Sequence, residues 1–491
     1  MREINFNSLI RCLPGAKLLS LGKDFKVAGI SCDSGLTKKG FVFVAQKGLS
    51  CDGHSFIAKA VDNGAQAVIV QNAAAKIKSV KGVTFLKVSD TKEALVKLAG
   101  AFYRNPEKKL KFIGVTGTNG KTTITYLIEA ILKSSGHKTA VIGTINYRFS
   151  GRVIPAGNTT PGILTLQSLF SEMLKKDVDS VVMEVSSHAL DQQRIKGIDF
   201  KAAIFTNLTQ DHLDYHKTMN AYFKAKSRLF AGLSSKALAV INNDDDFGTK
   251  LKSLTRAKVV TYGIDNTADL TAKQINFNIC NTQFLLCWRG KSFKVKSPLI
   301  GRHNVYNVLA AAAYCLASGI SPRKIIAALE GFGNVPGRLE RIKTKSGITV
   351  FVDYAHTDDA LTNVINTLKG LPANRIIIMF GCGGSRDRSK RQKMGRVASE
   401  LADYVVITSD NPRSEKPMDI ISDIKKGINK NNYVVVTDRK AAIIKALSLA
   451  SSGDIVLLAG KGHENSQVFK NKKIHFDDRE VARECLRSMN L

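Results

Sequence analysis

From residue 111 onward, short apolar runs alternate along the chain with longer stretches of helical period. The runs at 111–115, 139–143, 180–184, 202–206 and 238–242 have strand length, and this alternation predicts a parallel sheet with crossover helices. From 258 to 296 strands and turns dominate, which predicts an antiparallel edge or a small subsheet, and a helical run over 304–317 follows. The pattern breaks at Val335-Pro336-Gly337, where a third α/β unit begins with strands at 349–353, 375–380, 404–408, 433–436 and 455–458. Before residue 107 the pattern is sparser: strand-like runs at 40–45 and 66–70 and a helical stretch over 54–63. The polar segment Asn105-Pro106-Glu107-Lys108-Lys109 reads as a linker. The expectation is an α/β chain of three domains, 1–107, 108–336 and 337–491, with no internal repeat and no low-complexity segment.

Composition changes this picture little. A chain of 491 residues has room for about three cores. Its 44% hydrophobic and 23% charged content is ordinary for a globular protein. No apolar run approaches membrane-spanning length, and an N-terminus with Glu3, Cys12 and Pro14 does not read as a secretory signal. Eight scattered cysteines without a C-x-x-C pair fit reduced thiols in a cytosolic enzyme. The net charge of +32 favours phosphate-bearing ligands. Yet the basic pairs (Lys108-Lys109, Lys175-Lys176, Lys425-Lys426, Lys472-Lys473) are dispersed, without a basic tail or interleaved aromatics. A nucleic-acid partner is therefore not expected.

The candidate chemistry begins at Gly114-Val115-Thr116-Gly117-Thr118-Asn119-Gly120-Lys121-Thr122-Thr123. A strand precedes it and a helical pattern through Tyr126, Leu127 and Ile131 follows, the context a phosphate-binding loop requires. Backbone N–H groups from Gly117 to Lys121 can face phosphate oxygens, aided by the helix dipole. Lys121 reaches the terminal phosphates and the Thr122 hydroxyl sits on Mg²⁺. The first glycine of the common pattern falls at Val115, so the loop is better written Gly-x-x-Gly-Lys-Thr. Glu184, at the end of an apolar strand, lies where ligands bind in open α/β sheets, although a solvated carboxylate reads the same way. Asp211, His212, Asp214 and His216 crowd the loop after the next strand; alone such a cluster is a polar loop, beside a phosphate loop it points to function.

Together Gly-Thr-Asn-Gly-Lys-Thr, Glu-Val-Ser-Ser-His at 184–188 and Asp-His-Leu-Asp-Tyr-His at 211–216 resemble the Mur ligase family, the ATP-dependent amide-forming enzymes of peptidoglycan assembly. Gly301-Arg302-His303-Asn304-Val305-Tyr306-Asn307, Pro336-Gly337-Arg338-Leu339-Glu340 and Asp353-Tyr354-Ala355-His356-Thr357 extend the match, so the resemblance covers essentially the whole chain. It implies an N-terminal domain for the UDP moiety, a central phosphate-loop ATPase and a C-terminal Rossmann-like domain for the incoming amino acid. ATP is then held by Gly117, Thr118, Asn119, Gly120, Lys121, Thr122 and Thr123, by Asn304 with Asn307 beside it, and by Arg338 and Asp353 from the C-terminal side. Mg²⁺ is held by Thr122, Glu184, His212 and Lys226, the last as a carbamate. Carbamoylation turns a cationic side chain into an oxygen ligand that Mg²⁺ prefers. From its own surroundings in the sequence Lys226 reads equally as one lysine on a solvated helix face.

Within the family, Asp410-Asn411-Pro412-Arg413 resembles the signature of members that add meso-diaminopimelate. A planar guanidinium grips the second carboxylate of that amino acid through paired hydrogen bonds, and L-lysine lacks this carboxylate. The resemblance adds Arg386, Gly460 and Glu464 to this pocket, with Arg386 for a carboxylate and Glu464 for an ammonium. It implies UDP-N-acetylmuramoyl-L-alanyl-D-glutamate as the other substrate, with Ser34 near the uracil and Asn158, Thr159, Thr160, Ser186, Gln192 and Arg194 on the muramoyl dipeptide. Gly35, Ser385 and Asp358 depart from the family pattern, where arginine, aspartate and proline are common. The reaction implied runs through an acyl phosphate, with His356 a candidate base for the amine or a structural histidine. A monomer is expected. An L-lysine ligase, a folylpolyglutamate synthetase and a non-catalytic nucleoprotein subunit are the rival readings.

Overall fold

The computed structural model describes residues 4–48, 51–71 and 80–491. It is an α/β chain built on three sheets of five, eleven and six strands, with a separate two-stranded ribbon near the C-terminus. No helix among the described residues is long and apolar enough to cross a membrane. The eight cysteines are all free thiols.

The central sheet carries the phosphate loop. Its middle strands, Leu238–Asn242, Phe200–Phe205, Lys111–Thr116, Ser180–Glu184 and Thr139–Ile142, are adjacent in that order and parallel. Ser180–Glu184 is buried along its whole length, as expected for a strand covered by helices on both faces. On one face Lys121–Ser134 and Arg302–Ala317 pack through Ile124, Leu127, Ile128, Val308 and Leu309, and the run Ala310 to Ala313 is fully buried. On the other, Ile163–Leu174 and Met219–Ala231 contribute Leu166, Phe170, Phe223 and Phe230. The strands from residue 258 onward do not form a subsheet. Lys258–Gly263 continues the parallel sheet, and Leu270–Phe277, Thr282–Trp288 and Lys291–Ser297 extend it as an antiparallel meander. Lys291–Ser297 is mostly exposed, consistent with its place at the edge.

The first sheet orders Lys17–Ser20, Thr84–Lys87, Ala65–Val70, Phe41–Val44 and Gly29–Ser31, with the helix Thr91–Tyr103 packed on it. Four of these strands have three or four residues, and only Phe41–Val44 among them stood out in the sequence, within the apolar run at 40–45; the others are too short for a periodicity to register. The helical stretch at 54–63 divides into a 3₁₀ turn, Gly53–Phe56, and a helix, Ile57–Asp62. The polar segment at 105–109 holds a 3₁₀ turn, Pro106–Lys108, entered through left-handed Arg104 and Asn105.

The C-terminal sheet orders Glu340–Ile342, Thr349–Asp353, Ile455–Ala459, Ile376–Phe380, Tyr404–Ile407 and Tyr433–Val435, parallel except for the first. In an open α/β sheet the carboxyl ends of the strands are where a crevice forms. Asp353, the 381–386 loop, the 409–413 loop and the 460–464 loop all leave the sheet at that end.

Candidate active site

The phosphate loop is shaped by glycine where no other residue fits. Gly117 and Gly120 have φ of 149° and 86°, and a side chain on either would overlap Thr206 or Asn307. Thr118 N donates to the Asn207 carbonyl (2.8 Å), Asn119 N to Asn207 Oδ1 (2.9 Å), and Thr206 Oγ1 to the Asn119 carbonyl (2.7 Å). These bonds correct the expectation that every amide from Gly117 to Lys121 faces phosphate. Thr118 and Asn119 are tied to the neighbouring strand end, and the open amides are those of the first helical turn. Thr123 is buried behind them. Lys121 Nζ folds back over the loop onto the Gly117 (2.9 Å) and Thr118 (2.7 Å) carbonyls.

Glu184 is not a solvated strand end. It is buried, and its Oε1 accepts from Thr122 Oγ1 (3.0 Å) and Thr144 N (2.8 Å) while Oε2 accepts from Thr144 Oγ1 (2.9 Å). Thr144 escaped sequence reading; its signal is its place just past Thr139–Ile142, the strand paired with Ser180–Glu184. Lys226 is not on a solvated face either. It is 1% exposed, and its Nζ donates to the same Gly117 carbonyl that Lys121 uses (2.7 Å). Burial, reinforced by neighbouring Lys121, holds the Lys226 amine well below the ordinary lysine range. His212 pairs with Asp211 (3.5 Å) and stands edge-on to His188 at 4.8 Å. Desolvation pushes it down to about 4 against the opposing charge of Asp211, so the ring is neutral at physiological pH.

Among the described residues no three His, Cys, Asp or Glu side chains converge to hold a metal. The Thr122 hydroxyl and the buried Glu184 carboxylate still fit Mg²⁺, which takes one or two carboxylates, keeps several waters and shares the phosphates of its substrate rather than demanding a protein cage.

The residues expected at the nucleotide are differently disposed. Arg338 Nη2 lies 3.4 Å from Thr122 Oγ1, its guanidinium sits 4.7 Å above the Tyr354 ring, and its Nε is buried without a partner. Asp353, however, accepts from Leu339 N (2.6 Å) and Ala355 N (2.7 Å), and burial raises its pKa. Its carboxylate is committed to tying Arg338's loop to the sheet. Asn304 donates to the Ile300 carbonyl (2.8 Å) and accepts from Asn307 (2.9 Å), which fixes the start of its helix. A residue outside the expected set, Asp359, crosses from the C-terminal sheet's first helix and accepts from Asn119 Nδ2 (3.0 Å) and Thr209 Oγ1 (3.1 Å). His356 Nδ1 bonds the Tyr354 carbonyl (2.9 Å), so Nδ1 carries the proton and Nε2 is the free basic atom. Asp358 begins the helix Asp358–Lys369, a position that suits an acidic residue through the helix dipole as well as it suits proline.

The residues expected on the muramoyl dipeptide, Asn158 apart, are joined in one hydrogen-bonded network. Thr160 Oγ1 donates to the Glu184 carbonyl (2.7 Å) and accepts from Ser186 N (3.0 Å). Arg194 reaches the Thr160 carbonyl (3.0 Å) and Gln192 Oε1 (3.0 Å), Thr159 meets Thr144 (3.0 Å), and Tyr147 holds the Asn158 carbonyl (2.6 Å). Ser34 stands apart on the first sheet's unit, its carbonyl held by Asn63 Nδ2 (2.8 Å).

In the C-terminal unit Gly460 has φ of 110° and lies against Asp410, whose carbonyl accepts from Gln467 (2.7 Å). Asn411 donates to Glu464 Oε2 (2.8 Å) and accepts from the fully buried Lys461 (3.1 Å), which also faces Glu464 (3.3 Å). Pro412 is buried, and Arg413 Nη1 donates to the Gly384 carbonyl (2.8 Å). Desolvation and then neighbouring Arg386 lower the pKa of Arg413. Among the described residues neither Arg386 nor Arg413 is ion-paired. Arg386 and Arg413 both lie against Gly383, with the carboxylates of Asp410 and Glu464 close enough to favour the charged form of Arg413.

This geometry has counterparts. The Mur ligase middle domain matches residues 115–315, the Mur ligase glutamate ligase domain 337–462, and the Mur ligase family catalytic domain 26–103. The UDP-N-acetylmuramoyl-L-alanyl-D-glutamate--2,6-diaminopimelate ligase of Clostridium botulinum is 42% identical over 489 residues, covering 99% of this chain and 100% of that protein. Its namesake from Bacillus cereus is 44% identical, covering 98% of each. A solved structure bearing that enzyme name is 33% identical with a TM-score of 0.68, covering 98% of this chain and 99% of that one. With likeness spanning all three sheets, this chain belongs to the Mur ligase family.

Proposed function

We infer that this chain is an ATP-dependent amide ligase that joins meso-diaminopimelate to the D-glutamyl γ-carboxylate of UDP-N-acetylmuramoyl-L-alanyl-D-glutamate, in the cytoplasmic synthesis of peptidoglycan precursors. The observation that carries the amino-acid choice is the pair Arg386 and Arg413, side by side at Gly383 and in no ion pair among the described residues, with Glu464 nearby. The names of relatives more than 40% identical support the same substrate.

The 1–107 domain would hold the UDP moiety near Ser34, the 108–336 domain ATP, and the 337–491 domain the amino acid. The Thr159, Thr160, Ser186, Gln192 and Arg194 network would present the γ-carboxylate beside Glu184 and Thr144. Lys121, released from the Gly117 and Thr118 carbonyls, would move onto the phosphates and offset the charge that builds on the transferring oxygens. Thr122, Glu184, His212 and a carbamoylated Lys226 would hold Mg²⁺, which when bound neutralises phosphate charge. In-line transfer to the carboxylate gives an acyl phosphate and ADP. The neutral amine of diaminopimelate then attacks the acyl carbon and phosphate leaves. His356 Nε2 is suited to accept the amine proton. Arg338, reaching Thr122 from the C-terminal side, would help close the site against water.

Phosphate release with the UDP-dipeptide and a panel of amino acids tests the reading: meso-diaminopimelate should be used about 10⁴-fold better than L-lysine, which leaves the guanidiniums unpaired. Equal use of both would overturn the assignment.

The burial of Lys226 bears on its chemistry. CO₂ reacts with a neutral amine, and burial beside another lysine shifts Lys226 toward that neutral form. Lys226→Ala should lose most activity and regain part of it with added short carboxylates that supply the missing oxygen. Failure of every carboxylate to rescue a folded variant would count against the carbamate.

A further inference from the structure

Arg391, on the helix Ser389–Leu401, is completely buried, an uncommon place for a guanidinium. Its Nη1 donates to Glu415 Oε2 (2.9 Å) and Asp423 Oδ2 (3.1 Å), and its Nη2 to Glu415 Oε1 (2.9 Å) and the Gly383 carbonyl (3.4 Å). Glu415 also accepts from Ser385 N (2.5 Å) and Arg388 Nη2 (3.1 Å). Its carboxyl is pushed down to about 2, first by the bond from Arg391 and then by the Ser385 amide. One carboxylate thus joins two loops that leave different strands: the loop bearing Arg386 and the loop bearing Arg413.

Other bonds stitch the same seam. Gly384 N donates to the Asn411 carbonyl (2.9 Å), Arg413 Nη1 to the Gly384 carbonyl (2.8 Å), and Ser385 Oγ meets Ser414 Oγ at 2.7 Å. Both loops are strained where they meet. Ser385 and Arg413 have φ of 52° and 51°, a conformation that residues with a side chain keep only when their surroundings over-determine it.

We propose that the Arg391–Glu415 pair is a positioning device that sets the separation and aim of Arg386 and Arg413, and so determines selectivity for an amino acid carrying a second carboxylate. This rests on the reading of the diaminopimelate pocket given above. Apolar residues could fill the same space with no loss of stability, but only a forked, two-bond contact fixes orientation as well as distance.

The test uses the full chain with ATP and the UDP-dipeptide. Glu415→Gln keeps the shape and an acceptor for Ser385 N but loses the charge-matched fork. It should raise the KM for meso-diaminopimelate by about 10- to 100-fold, while kcat and the KM values for ATP and the UDP-dipeptide stay within about twofold. Preference over L-lysine should narrow, because lysine does not use the two arginines. Arg391→Lys should fall the same way, and Glu415→Asp, which keeps the charge with a shorter reach, should recover part of the selectivity. An unchanged KM for diaminopimelate, or equal losses with both amino acids, would overturn the proposal; if one variant does not fold, the other two decide. Wild type and Arg413→Ala are run beside them. A wild type indifferent to diaminopimelate refutes the pocket reading itself. A selective wild type crippled by Arg413→Ala, with Glu415→Gln unchanged, refutes only the positioning role.

Discussion

Lys121→Ala is expected to reduce phosphate release by about 10³-fold or more while leaving the fold intact. Lys121 opens the helix Lys121–Ser134, whose apolar face is Ile124, Leu127, Ile128 and Ile131, and alanine at that position leaves the face untouched. Among the described residues the lysine's hydrogen bonds are to the Gly117 and Thr118 carbonyls. The Gly117 carbonyl keeps its bond from Lys226 and the Thr118 carbonyl can turn to water, so the loss falls on the charge brought to the phosphates and not on stability. Burial lowers the pKa of Lys121, with Glu184 and Asp211 raising it again, and an arriving polyphosphate adds to the second influence. Arginine there should not restore turnover, since the loop accommodates a compact ammonium between two carbonyls. A folded Lys121→Ala protein with near-normal phosphate release would remove the phosphate-loop assignment.

Arg413→Ala should cost on the order of 3 kcal/mol in kcat/KM with meso-diaminopimelate, because a charged partner is left unpaired in a desolvated pocket. ATP and UDP-dipeptide affinities should hardly change, since the residues assigned to them lie on other strand ends. The poor use of L-lysine should fall much less, because lysine gains nothing from that guanidinium. Arg413→Lys should restore only part of the activity, since an ammonium lacks the two-pronged geometry. The measurement is kcat/KM for both amino acids in wild type and variants. Equal proportional losses would mean that Arg413 does not read the second carboxylate.

Sequence alone determined the α/β class, the phosphate loop and the family, because each is local or periodic. The five central strands were legible as apolar runs, and the loop was legible because Gly117, Gly120 and Lys121 answer constraints carried by a few neighbouring residues. The strands Lys17–Ser20, Gly29–Ser31 and Thr84–Lys87 were not legible, since three or four residues hold too little pattern. Tertiary structure alone decided which polar groups are free and which are committed. Asp353 and Asn304 lie where the family motifs fall, yet neighbouring amides and carbonyls occupy their side chains. Lys226 reads from sequence as a surface lysine, and it is the packing of Met219–Ala231 against the sheet that strips it of water. Asp359, Arg391 and Glu415 carry no local signal, and Thr144 only its place just past a strand. Each acts on a partner at least 24 residues away, Arg391 on Glu415 being the nearest such pair. Such contacts exist only once parallel strands have brought their ends to one edge, and that convergence is a property of the folded sheet rather than of any segment within it.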